Sequence, residues 1–382
     1  MLKVLFFVPD QSGSAFYRLM QPAAHLDSQG LAQVAIAGPH AERDHVYDAI
    51  AVSDVLIFGK VSTERKARLF EEVRKYGKKV VMDVDDDMFN LSPYSPFYGQ
   101  IGTEEAWHID EMGQRIPLWR DGLDGFDIKK NQDHTERFKR CLRSVDLITV
   151  SSPYLAELYR DFAPTALVPY AVDAKWWKPV KLKYPGQSIR LGWRGSQSHY
   201  EDLMWIKPVI TKLLEAHRQL KIVMLGWCPQ AWANGFEGRI EVHPWVPNEF
   251  YPNYMMSLGC DLSFTPWTTI PFNKGKCETP WIEWSALGVP GVYPAVSPLT
   301  EAISHNETGL LALSLEGWFE SLNKLIKDPG LRDRVGRAAR TKVETDWDVR
   351  KTILKYQNLL EGLCSTKSLE LKGDQVGLLH TA

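Results

Sequence analysis

The chain has 382 residues, 44% hydrophobic and 24% charged, and its 45 basic and 47 acidic residues leave a formal charge of -2. That length exceeds one compact core and suits two domains. The near-neutral balance excludes a global field toward polyanions or an anionic membrane, and no apolar stretch approaches the roughly 20 residues of a membrane span.

The opening run Met1-Leu-Lys-Val-Leu-Phe-Phe-Val-Pro9 stops at a proline after about one strand length and carries no small-residue cleavage site, so it is expected to be a first buried strand. Further strands are predicted at 33–37, 54–58, 79–83 and 146–151. Between them, 63–76 places Ala67, Phe70 and Val73 on one helical stripe, with Gly77 as its C-cap. From Asn90 to Asp133 the rhythm breaks into a Pro-, Gly- and aromatic-rich stretch without a sustained period. An irregular segment of that length is expected to be a lid or acceptor-side insertion. Pro179 and Pro185 mark an expected hinge. A second α/β series follows, with strands predicted at 188–193, 220–225, 239–243, 261–265, 289–293 and 310–313, and helices at 201–217, 279–287, 316–327 and 331–345. One more helix to about Leu363 and a frayed tail complete the chain. The predicted architecture is therefore α/β, two Rossmann-like domains facing across a cleft: 1–170 on the acceptor side with the 90–133 insertion, 171–346 for a donor, and 347–382 as a helix and tail returning toward the first domain.

Five cysteines, Cys141, Cys228, Cys260, Cys277 and Cys364, are odd in number and never spaced C-x-x-C, which fits a reducing cytoplasm as the expected location. Fourteen tryptophans exceed ordinary usage; core packing is the first expectation for each, with stacking on sugars or bases the second.

Sites in such sheets lie where strands end. After the first strand, Gln11-Ser-Gly-Ser-Ala-Phe-Tyr-Arg18 offers backbone N–H groups at Gly13 and Ser14 for an anion or a sugar hydroxyl, although without the spacing of a dinucleotide loop. After the first strand of the second series, Arg194-Gly-Ser-Gln-Ser-His199 leads into a helix headed by Glu201 and Asp202. Arg194, the Gly195 backbone, Ser196 and, more weakly, His199 are candidates to receive a diphosphate. Ser198 reads equally as a helix N-cap. The richest segment runs from Thr265 through Phe272-Asn-Lys-Gly-Lys276 to Glu283 and Pro290. There Asn273, Lys274 and Lys276 stand at the mouth of a helix, and Glu283, one turn inside it, is placed to accept from ribose hydroxyls. The cluster Asp83-Val-Asp-Asp-Asp87 suits a metal, an acceptor-facing role or a structural one. Asp86 is the expected catalytic member, with Asp85, Asp87, Tyr17 and Arg18 on the acceptor side.

The strings Phe272-Asn-Lys-Gly-Lys276, Glu283-Trp-Ser-Ala-Leu-Gly-Val-Pro290 and His305-Asn-Glu-Thr-Gly-Leu-Leu311 resemble the donor region of the GT-B-fold retaining glycosyltransferases, the family 4-like group 1 enzymes. Phe16-Tyr-Arg18 with Pro22, Asp83 to Asp87, and Asp328-Pro329 with Leu331-Arg332 extend the resemblance over most of the chain. It implies a hexosyltransferase that takes a nucleoside-diphosphate sugar such as a UDP-sugar as co-substrate, uses no metal or other cofactor and retains anomeric configuration. Arg194, Lys276 and Asp86 would be its catalytic residues. The group carries two glutamates seven residues apart; Glu283 matches the second, and Gly275 stands where the first would be. The leaving nucleoside diphosphate develops about two negative charges, which Arg194, Lys276 and the Gly195 backbone would meet. The acceptor, whether saccharide, lipid-linked glycan or modified DNA, and the oligomeric state are not specified. The competing readings are a viral-type transferase acting on hydroxymethylated pyrimidines in DNA and a non-catalytic nucleotide-sugar-binding protein.

Overall fold

The computed structural model describes residues 1–60, 64–110, 112–178, 188–236 and 238–365. The expected hinge prolines Pro179 and Pro185 and the expected tail beyond 365 lie outside the described residues. Fourteen strands are present among them, in chain order β1 Lys3–Phe7, β2 Gln33–Ala37, β3 Val55–Gly59, β4 Lys79–Val84, β5 Ala106–Ile109, β6 Arg115–Trp119, β7 Leu147–Val150, β8 Thr165–Leu167, β9 Ile189–Gly195, β10 Leu220–Gly226, β11 Ile240–His243, β12 Leu262–Phe264, β13 Gly291–Pro294 and β14 Leu310–Ala312.

These strands build two six-stranded sheets, in the orders β2-β1-β3-β4-β7-β8 and β11-β10-β9-β12-β13-β14. Every pairing within them is parallel. Parallel strands covered on both faces need unbroken apolar runs, and Val55-Leu-Ile-Phe58 and Ile222-Val-Met-Leu225 supply them. Burying each such side chain contributes about 1.5–3 kcal/mol. Helices close both faces: Glu64–Arg74 turns Ala67, Phe70 and Val73 onto the first sheet, and Tyr200–Ala216 and Leu315–Lys327 pack on the second. Trp177, Trp193, Trp232, Trp281, Trp284 and Trp318 are fully buried, so the high tryptophan count serves the interior first.

The segment 90–133 departs from the irregular stretch expected. It holds a short helix, Tyr98–Ile101, the antiparallel hairpin β5–β6, and the first turns of a helix, Ile128–Leu142, capped by Asp127. A two-strand ribbon of four or five residues a side is too short to give a readable period. The hairpin has its own small core, in which Tyr98, Ala106 and Phe126 are buried with Trp119 packed against them. β8, at the sheet edge, is also additional to the strands expected.

The last described helix, Val349–Cys364, crosses back and buries Ile353, Tyr356 and Leu360 among Val4, Phe6, Leu19 and Leu26 of the first half. Among the described residues, no helix is long and apolar enough to cross a membrane.

Candidate active site between the two sheets

In each sheet the strand order reverses beside the strand that opens the half, between β1 and β3 in the first and between β9 and β12 in the second. The crevice for a ligand lies outside the carboxyl ends at such a switch point. Four segments are thereby gathered: the loop after β1, Lys60 after β3 with Asp85 and Asp86 after β4, the Arg194–His199 loop after β9, and the loop between β12 and the helix Thr279–Ala286. The two halves touch here. Ser152 Oγ donates to the Gly275 carbonyl at 3.2 Å, Asn248 Nδ2 donates to the Gln11 carbonyl at 2.8 Å, and Lys276 Nζ lies 3.8 Å from Asp86 Oδ1.

The second half carries the cations. Arg194 Nε is 2.7 Å from Glu283 Oε2, an ion pair of two largely buried groups. Nε is engaged by this ion pair, and the buried Nη2 holds no hydrogen-bond partner. Glu283 is 2% exposed and also accepts from Tyr251 Oη at 3.2 Å. Burial pushes its carboxyl up, against Arg194 and the Tyr17 and Tyr251 hydroxyls, which pull it down. Tyr17 from the first half is therefore in contact with Glu283 of the second, and burial and that carboxylate raise its phenol well above the ordinary value. Lys276 Nζ rests 4.0 Å from the Phe272 ring centroid, while Lys274 is exposed.

Gly195 is required for space. A Cβ there would meet the Trp193 ring at 2.5 Å and the His199 ring at 3.1 Å. Ser196 and Ser198 bond to each other at 2.8 Å, and the N-cap of the helix beginning at Tyr200 is His199. His199 Nδ1 meets Asp202 Oδ2 at 2.8 Å. Asp202, fully buried, takes Thr268 N at 2.7 Å, Thr268 Oγ1 at 2.8 Å and Asn273 Nδ2 at 2.8 Å on its other oxygen. One carboxylate thus ties the loop after β9 to the loop after β12. Asn273 is 5% exposed, and its Oδ1 is left without a partner.

The first half carries the carboxylates, each with partners of its own. Arg18 and Asp83 form a buried bidentate pair, with Nε at 3.0 Å and Nη2 at 2.6 Å, and Thr149 Oγ1 donates to Asp83 at 2.6 Å. Arg18 also donates to the Val168 carbonyl, so it braces the end of the sheet. Asp85 receives Lys60 at 3.2 Å and Tyr170 Oη at 3.0 Å. Burial alone would raise the Asp85 carboxyl, but Lys60, the Ser14 hydroxyl, Arg18 and Tyr170 outweigh it and hold the carboxyl well below the usual range. Gly13 beside Ser14 has open space around it. Asp86 lies 3.2 Å from Lys60 and keeps a quarter of its side chain exposed, the most open of the four. Asp87 is fully buried; it accepts from the Phe89 and Asn90 amides, Asn90 Nδ2 and Tyr154 Oη. Its oxygens hold a turn and none faces the cleft, which sets it apart from the acceptor side where it was expected.

Gly275 is explained by this junction. A side chain there would press on Leu155 Cδ2 at 3.1 Å and the Asp87 amide at 3.2 Å, both from the first half. Sequence reasoning missed Lys60, Tyr170, Tyr251 and the role of Asp202. Lys60 was findable as the residue that follows β3, whereas Asp202 stood only as an acidic residue heading a helix. The insertion also reaches the site. Tyr94 stacks on Tyr200 at 4.2 Å, His108 sits edge-on to Tyr200, and Ser92 Oγ donates to Glu201 at 3.2 Å.

Residues 204–358 match the model of a family described as glycosyl transferase-like. No curated protein matches the sequence. Among solved structures, the chain is similar to a sucrose-phosphate synthase from Thermosynechococcus elongatus, with a TM-score of 0.62 at 13% identity over 95% of this chain and 99% of that one. It is similar to Anabaena Alr3699/HepE in complex with UDP-glucose, with a TM-score of 0.62 at 13% identity over 95% of this chain and 100% of that one. A glycosyltransferase from Rickettsia africae gives a TM-score of 0.63 at 12% identity over 96% and 99%. The chain has the GT-B fold, its 204–358 segment matches a glycosyl transferase-like family, and together these findings support a glycosyltransferase.

Proposed function

We propose that the chain transfers a hexose from a nucleoside-diphosphate sugar, a UDP-sugar in the first instance, to a hydroxyl acceptor, with retention and without a metal. The observation that carries this reading is Arg194. It stands near the end of β9 at the switch point, is largely buried, pairs with Glu283 through Nε, and has an Nη2 with no hydrogen-bond partner. A buried donor left unpaired costs about 1–3 kcal/mol, and a bound diphosphate removes that cost.

Lys276 and the start of the Thr279–Ala286 helix supply further positive potential for the leaving group, in place of a metal. Asp86, the carboxylate most open to the cleft, faces the acceptor; Lys60 and Lys276 hold it on either side. Glu283 positions Arg194 and Tyr17. The UDP-sugar assignment draws support from the similar HepE structures, whose complexes contain UDP and UDP-glucose. Nothing in the described surface favours the DNA or non-catalytic readings.

The test is thermal stabilisation against a panel of nucleoside diphosphates and their sugars, where a ligand at a hundred times its dissociation constant adds about 2.7 kcal/mol. It is followed by anomer-resolved NMR of the product in the presence of EDTA. No shift with any nucleotide sugar ends the reading, an inverted product ends retention, and activity lost to EDTA ends metal independence.

A further inference from the structure

The four contacts on Asp202 do more than join two loops. Its Oδ1 is filled by three donors, the Thr268 amide, the Thr268 hydroxyl and the Asn273 amide group, so the carboxyl is acting wholly as an acceptor. Its Oδ2 faces His199 Nδ1 at 2.8 Å, so the network assigns a hydrogen to Nδ1. The tautomer follows. In the neutral ring Nε2 carries only a lone pair, and it makes no hydrogen bond to any described residue.

The ring is held tightly in that pose. Its Cδ2 lies close to Gly195, where a Cβ would come within 3.1 Å of it, and its plane stands at 86° to Trp193. The charged groups that act on it are Asp202 below and Arg194 and Lys276 beside it. Burial is the largest influence and, with the two cations, outweighs Asp202, so the free ring is pushed toward the neutral form. A neutral ring with a bare Nε2 cannot donate to a phosphate. A diphosphate entering between Arg194 and Lys276 reverses the local balance, because its negative charge favours the imidazolium.

We propose that Asp202 and His199 form a proton-linked contact for the donor's diphosphate, in which the His199 ring takes one proton from solvent onto Nε2 as the ligand binds and donates it in a hydrogen bond to a phosphate oxygen. Asp202 is the positioning residue: it fixes the tautomer and aims the second nitrogen. This inference rests on the donor reading above and adds to it a pH dependence that the Arg194 guanidinium, charged throughout the range, does not bring.

The sign of the effect follows from linkage. Binding takes up a proton only where the free ring is neutral and the bound ring charged. Affinity therefore falls as pH rises through that window, by at most about tenfold per pH unit. A nucleotide sugar is the right probe because its diphosphate is esterified at both ends and has no terminal phosphate to titrate in this range.

The experiment is calorimetric titration of the full chain with UDP-glucose and with GDP-mannose from pH 6 to 8.5, in two buffers of different ionisation heat. The wild type is expected to take up as much as one proton per ligand in the middle of the range. His199→Gln should take up none, bind with flat pH dependence, and be weaker at pH 6 by about ten- to hundredfold, as for a charged hydrogen bond. Asp202→Asn, whose amide can donate to Nδ1 and leave the hydrogen on Nε2, should also lose the uptake. Should that variant unfold, His199→Gln decides alone. Binding by the wild type without proton uptake, or the same uptake in His199→Gln, overturns the contact while leaving the donor reading intact. Absence of binding by either sugar overturns both.

Discussion

The carboxyl ends of β3 and β4 and those of β9 and β12 face one cleft, and they treat charge differently. In the first half each carboxylate of the 83–87 cluster has a partner: Asp83 has Arg18, Asp85 has Lys60 and Tyr170, Asp86 has Lys60, and Asp87 has backbone amides. In the second half the guanidinium of Arg194 meets Glu283 through Nε yet leaves Nη2 without a hydrogen-bond partner, and Lys276 reaches only 3.8 Å toward Asp86. At the cleft the carboxylates of the first half are matched by neighbours, while the Arg194 guanidinium of the second is matched only in part. A built structure tolerates an unpartnered buried donor where a ligand supplies the missing acceptor, so the contrast supports the proposal of an anion on the second sheet's side.

The contrast is open to direct attack. The largest effect is expected from Lys60→Met, which leaves Asp85 buried without its cation and should cost about 3 kcal/mol at pH 7 in chemical denaturation. Because the Asp85 carboxyl is held low in the folded chain, its contribution is present above the unfolded value near 4 and is lost as pH falls. The wild type and variant should therefore converge in acid, and a constant gap down to about pH 3 would show that Lys60 acts by packing alone.

Arg194→Ala, made together with Glu283→Gln so that no bare carboxylate remains, should lower turnover by about a hundredfold or more. Unchanged turnover would mean the unpartnered Nη2 faces nothing.

Glu278 sharpens the comparison further. Burial pushes its carboxyl up to about 7, and Oε2 has no partner. A carboxyl raised on folding destabilises progressively as pH climbs from about 4 to about 7. Glu278→Gln should then be more stable than the wild type by on the order of 1–3 kcal/mol at pH 8 and about equal near pH 4. A variant that is equally stable at both pH values would place an unseen partner on that oxygen. The smallest effect belongs to the junction between insertion and second half: Tyr94→Ala should cost about 0.5–1.5 kcal/mol through loss of its stack on Tyr200, read in thermal melts with and without UDP-glucose.

Much of this plan is legible in the amino-acid order, for physical reasons. Strands such as Gln33–Ala37 and Leu220–Gly226 are short, apolar and bounded by polar turns, so their period is plain. The six-residue helix Gln230–Gly235 and the hairpin β5–β6 are not legible, because neither is long enough to repeat a pattern. Arg194, Gly195, Lys276 and Glu283 were singled out by position at strand and helix ends, and the fold gathers them at one end of the second sheet. Lys60, Tyr170 and Tyr251 belong to segments distant in sequence, and only the folded chain shows that they converge. Asp202 was visible as a residue but its task was not, since a carboxylate at a helix start looks the same whether it faces solvent or gathers four donors.

The chain passes between its halves twice, once near Val172 and again at Trp347 to Val349. The two passages are hydrogen-bonded to each other: the Val172 amide donates to the Trp347 carbonyl at 2.9 Å, and the Val349 amide donates to the Val172 carbonyl at 2.9 Å. Because both passages meet at Val172, an opening or closing of the crevice is expected to bend the chain there, with the two passages moving as one.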